Sequence, residues 1–121
     1  MSTLDEAKLL QSRTKAFAIR IIKAFARLQR AEAVRVIGRQ FLPSGTFLAA
    51  NYRAACRARS AADLIFKISV VVEETDQTLF WLELLVEAEL AKKSLVKALM
   101  SECDELLKIF SASLATAKRN R

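Results

Sequence analysis

Apolar residues recur every three or four positions over long stretches of this chain, the period of α-helices that each bury one face. Leu10, Phe17, Ile21, Ala24, Phe25 and Leu28 gather on one side of a first helix. Leu95, Leu99, Cys103, Leu106, Phe110 and Leu114 do the same in the last, which is polar on its opposite side. Helix starts are marked by Thr3 with Glu6 three residues on, by Ser60 with Asp63, and by Ser94 ahead of an apolar run. These signals predict helices at about 4–28, 31–57, 61–91 and 94–117, with a tail at 118–121 expected to fray. The connections are short enough that neighbours should be antiparallel. The expectation is one all-α domain over 1–121, an up-down-up-down four-helix bundle.

The middle helices depart from the simple plan. Helix 3 carries a core stripe of Leu64, Ile68, Val71, Val72, Thr75, Leu79, Leu82 and Val86. A second stripe, Phe66, Val70, Gln77, Trp81, Leu84 and Ala88, lies well over 100° round the helix from the first. One bundle cannot bury both. Either a partner surface covers the second stripe, making Phe66, Val70, Trp81 and Leu84 an oligomer interface, or the chain itself covers an unusually deep helix 3.

Helix 2 places Val34, Val36, Ile37, Phe41, Phe47, Leu48, Tyr52 and Ala55 in one arc that also holds Gln40, Ser44 and Asn51. Buried amides and hydroxyls need hydrogen-bond partners. Pro43 lacks an N–H and displaces the carbonyl of Arg39, so Gln40 and Ser44 are expected to be buried beside the resulting kink. Asn51 is either a core amide that fixes register or a contact to a ligand or partner.

Composition agrees with a helical reading: 53% hydrophobic residues, with Gly 2 and Pro 1 in 121 residues. The formal net charge of +7 is unevenly placed. Residues 1–59 carry twelve cations against Asp5, Glu6 and Glu32, whereas residues 60–121 carry eight against ten acids. Arg13, Arg20 and Arg27 recur every seven residues along helix 1. Arg35, Arg39, Arg53 and Arg57 fall within about 40° of one another on helix 2, a stripe about 35 Å long. Arginine pairs with phosphate and with carboxylate alike. These seven are candidate nucleic-acid contacts, with ion pairing to Asp76, Glu83 and Glu87 of helix 3 or plain solvation as the alternatives.

Several chemistries find no support. With His 0 there is no imidazole for acid–base work, for a nucleophile's partner or for a metal bundle, and phosphate-loop glycine motifs are absent. No catalytic residue, metal or cofactor is expected. The longest apolar run, at 64–72, is broken by Lys67 and is about half a membrane span, so no membrane partner is expected either. Cys56 and Cys103, with no signal-like start to the chain, suggest reduced thiols in a cytoplasmic protein.

The stretches Gln40 to Phe47, Ala50 to Ala55, Arg59-Ser60, Glu73 to Gln77 and Trp81 to Leu85 resemble the bacterial four-helix-bundle proteins known as 23S rRNA intervening-sequence, or S23-like, proteins. The match covers helices 2 and 3 closely, and helices 1 and 4 by pattern. It implies a bundle that assembles into a ring-like homopentamer. A more distant relative, the accessory variability determinant of diversity-generating retroelements, implies a basic pentamer that binds a reverse transcriptase and nucleic acid. The sequence departs from the family pattern at Pro43, Phe47 and Gln77, where Arg, Ser and an acid are favoured. Two functions follow as expectations: a non-enzymatic oligomeric scaffold that binds RNA or DNA backbone, or an adaptor for a nucleic-acid-handling protein such as a reverse transcriptase.

Overall fold

Ser60 opens the third helix as its capping chemistry predicts, its side chain accepting a 3.0 Å hydrogen bond from the Asp63 N–H. In the computed structural model, residues 3–28 and 30–121 are described. They form α1 (Thr3–Ala26), α2 (Glu32–Ala55), α3 (Ala61–Glu87) and α4 (Lys93–Arg119), with no strand among the described residues. The side chain of Thr3, and with it the capping box expected with Glu6, lies outside the described residues.

Helix ends differ from the sequence reading by up to four residues, each for a local reason. α1 and α2 stop at Ala26 and Ala55, and the chain then leaves through tighter turns: Arg27 N–H to Ala24 O and Arg57 N–H to Ala54 O. α3 stops at Glu87 because Glu89 adopts φ 59, which sends the Leu90 N–H back to Leu85 O at 2.8 Å. That left-handed residue is usually glycine. α4 is not capped by Ser94 but starts at Lys93, after Lys92 in extended backbone. It runs through Lys118 and Arg119, cations that suit the negative end of a helix, so the expected tail shrinks to two residues.

Each helix packs on its two neighbours in the order α1, α2, α3, α4, with α1 closing on α4 and no backbone contact across either diagonal. Facing positions run in opposite directions: Gly38 meets Phe25 while Gly45 meets Ile21. Large side chains fill the centre, among them Phe17, Phe41, Phe110, Leu48, Leu82 and Leu106. The Tyr52 and Phe110 rings meet across the diagonal with centroids 5.2 Å apart.

The two glycines decide how α2 is rotated. Both are buried, and they let α1 approach on their side. The face turned to the core is therefore centred nearer the glycines than the sequence arc had it. Val36 and Phe47 swing out to 47% and 54% exposure, against the sequence reading, which counted them with the core.

Candidate nucleic-acid interface

The arginines of α2 stand on its outward side. Arg35, Arg39 and Arg53 are exposed, and among the described residues no ion pair engages them. Arg57 is exposed too, but in the turn after α2 rather than on the helix, so the helical row shortens to about 27 Å from Arg35 to Arg53. The helix 3 acids offered as partners do not pair with them: Asp76 and Glu87 are exposed, and Glu83 is half-buried.

The α1 row behaves differently. Arg13 is held by α4, its Nε and Nη2 donating to the two Glu102 carboxylate oxygens at 2.8 and 2.7 Å, with Glu105 Oε1 also 2.8 Å from Nη2. A guanidinium committed in this way is not available to phosphate, which removes Arg13 from the candidate contacts. Glu102 and Glu105, three residues apart beside the α4 core stripe, are the signal that antiparallel closure of α1 on α4 would have supplied. Arg20 and Arg27 remain exposed, and Arg20 lies within electrostatic reach of Glu102. The two arginine rows are thus not one surface, since the α1 row follows the seam with α4 and α2 does not touch α4.

The Arg13 hydrogen bonds hold the Glu102 carboxyl below its ordinary value of 4.5. A depressed carboxylate contributes stability that is complete above the unfolded value and lost as pH falls through the folded one. The side chains are 32% and 19% exposed, so solvent screens the pair only in part. Glu102→Gln should cost about 1 kcal/mol at neutral pH. Urea titrations should show that difference vanish well below pH 4.5, and a difference that persists in acid would mean the pair is not its source.

The second stripe of α3 is only partly open. Phe66 is 67% exposed, whereas Val70, Trp81 and Leu84 are half-buried, because α2 flanks that side of α3. Trp81 packs against the core and edge-on to Phe80, with ring centroids 5.1 Å apart. Phe80 itself, 53% exposed, was not part of the predicted stripe, and neither were Phe47 and Val36 of α2. Three residues beyond the Ser44–Thr78 contact on each helix stand Phe47 and Trp81, both about 60° further out. They flank the outer side of the α2–α3 seam. Glu74 lies half-buried on this side of α3, where burial and then Glu73 push its carboxyl up.

Of the three polar residues expected inside α2, only Ser44 is buried. Its hydroxyl donates to Phe41 O at 3.3 Å and lies 3.0 Å from Thr78 Oγ1, whose proton is shared with Glu74 O at 2.7 Å. Gln40 is exposed, carried outward by the same rotation that exposes Phe47, and Asn51 is half-buried. One turn beyond Pro43 the Thr46 hydroxyl donates to Leu42 O at 2.9 Å, and neither Ser44 nor Thr46 donates to Arg39 O.

Cys103 is fully buried, its thiol donating to Thr75 O at 3.3 Å, and burial pushes it up to about 12. Cys56 is exposed at the end of α2. Among the described residues no group of three or more Cys, Asp or Glu side chains could hold a metal ion, and no helix is long and apolar enough to cross a membrane.

No family model matches the chain, and neither does any curated protein. Among solved structures it is similar to a protein of unknown function from the S23 ribosomal protein family of Bacteroides thetaiotaomicron, determined at 1.70 Å. The two superpose with a TM-score of 0.82 at 28% identity, over 90% of this chain and 97% of that one. That likeness supports the S23-like resemblance carried by α2 and α3.

Proposed function

We propose that this chain is an S23-like, non-enzymatic scaffold that assembles into a homopentamer and holds the phosphate backbone of RNA or DNA. One observation carries the nucleic-acid reading. The α2 arginines are exposed without ion-pair partners among the described residues, although ten acids lie in residues 60–121 of the same chain. Arg20 and Arg27 supply a second, separate row. The oligomer reading rests on Phe47, Phe66 and Phe80, which are all more than half exposed on α2 and α3.

Fluorescence anisotropy with labelled RNA and DNA oligonucleotides tests the first part. Affinity should fall linearly with salt on logarithmic axes, by about 0.7–0.9 per phosphate neutralised. Changing Arg35, Arg39, Arg53 and Arg57 together to Ala should flatten that slope by about three. Absence of binding at about 50 mM salt, or full binding by the fourfold variant, would remove the reading. Light scattering before and after nuclease treatment tests the assembly, with five times the 13.5 kDa chain mass expected. Recovery of a protein partner in place of nucleic acid would favour an adaptor for a nucleic-acid-handling protein.

A further inference from the structure

The two ends of the bundle are filled differently. Towards the α1–α2 connection, Phe25 packs edge-on to Phe41 with ring centroids 6.1 Å apart, and Leu28 packs against the core. At the opposite end, where α1 and α3 begin and α2 and α4 finish, the facing positions hold small side chains: Ala7, Ala55, Ala58, Ala61, Ser113 and Ala117. Small residues from all four helices and the α2–α3 turn cannot close the gap between them. What remains is an open cleft of about 850 Å³, within the size range of clefts that bind small molecules.

Its walls divide by chemistry. The floor is largely aliphatic, with Leu10, Leu64, Ile68 and Ile109. Helical backbone bonds already use the N–H and C=O groups behind those side chains, so the floor has few partners to offer a polar ligand, whereas an alkyl chain asks for none. The rim carries both signs, with Glu6 lining it beside two arginines. Arg13 lines it with its guanidinium already committed to Glu102 and Glu105, so the cation it offers a ligand is Arg59, whose backbone N–H is anchored on Asp63 Oδ2 at 3.1 Å while its side chain is exposed. Arg57 in the turn after α2, Lys118 and Arg119 in the last turn of α4, and Arg121 beyond it lie at the same end, where they outnumber Asp5, Glu6 and Asp63.

We propose that this cleft binds a long-chain carboxylate, its alkyl chain lying on the aliphatic floor and its head group meeting Arg59 at the rim. Arg35, Arg39 and Arg53 do not line the cleft, so of the proposed nucleic-acid contacts on this side of the chain Arg57 alone stands near both surfaces. Cys56 lines the cleft and Cys103 is fully buried, so a thiol reagent applied to the folded protein reports on this place alone.

The test uses the full chain and dansyl-undecanoate as probe, displaced by dodecanoate. Fluorescence should rise on binding, and saturating dodecanoate should slow Cys56 modification by about tenfold, the protection expected when about nine-tenths of the sites are filled. Arg59→Glu should weaken dodecanoate by about fivefold while leaving dodecanol unchanged. Ala117→Trp and Ala58→Phe, each filling the cleft from a different segment, should abolish probe binding with the helical circular dichroism intact. Unimpeded labelling of the wild-type thiol at about 1 mM dodecanoate would overturn the proposal without recourse to any variant. So would full probe binding by a folded cleft-filled variant, or equal affinity for dodecyltrimethylammonium.

Discussion

Gly45→Leu should lower the melting temperature by several degrees, up to about 10 °C. A Cβ at position 45 would lie 2.9 Å from both Cγ1 and Cγ2 of Ile21, which is fully buried. Those carbons branch from the Ile21 Cβ and have one favoured rotamer on a helix, so they cannot step aside. Leucine gains only about 0.8 kcal/mol in helix propensity over glycine, against an overpacking cost of about 1–3 kcal/mol or more. Gly38→Ala is the control. There the Cβ would meet the edge of the half-buried Phe25 ring at 2.8 Å, and the ring can turn towards solvent. The clash and the propensity gain then nearly cancel, leaving melting within a few degrees of wild type by circular dichroism. An unchanged melting point for Gly45→Leu would mean that α1 and α2 are not in this contact.

The second large effect concerns the outer face of α3. Phe66 and Phe80 are fourteen residues apart, nearly four full turns, and both are more than half exposed. Burying such a side chain between chains stabilises an assembly by about 1.5–3 kcal/mol, and replacing it with a charge adds a desolvation cost. Phe66→Glu with Phe80→Glu should bring the light-scattering mass down to the 13.5 kDa of one chain, with helicity kept and the melting temperature lowered by the stabilisation that assembly had supplied. Trp81 is unsuitable for this purpose because it also packs against the core. A wild-type mass of 13.5 kDa, or an assembly indifferent to the double substitution, would refute the oligomer reading.

Much of the helical plan was legible because a core stripe needs no knowledge of neighbours. Phe17, Ile21 and Ala24 in α1, and Leu99, Cys103, Leu106 and Phe110 in α4, are buried as periodicity predicts. Periodicity could not supply the rotation of α2. Glycine carries no hydrophobic signal, so Gly38 and Gly45 left the predicted arc centred wrongly, and Val36, Gln40 and Phe47 were assigned to the interior on that account. The fate of Arg13 was hidden for another reason. Its partners Glu102 and Glu105 lie about ninety residues away, and only closure of the bundle brings them together. The arginines of α2 are exposed, and among the described residues no acid of a neighbouring helix pairs with them.

All the glycine and proline of the chain lies in α2: Gly38, Gly45 and Pro43. Relative to alanine these three disfavour an isolated helix by about 5 kcal/mol. α2 is therefore the element least able to form by itself during folding. Its helix depends on docking between α1 and α3, so the outward arginine row comes into register only as the interior closes. The basic surface and the hydrophobic core of this protein are in that sense a single cooperative event.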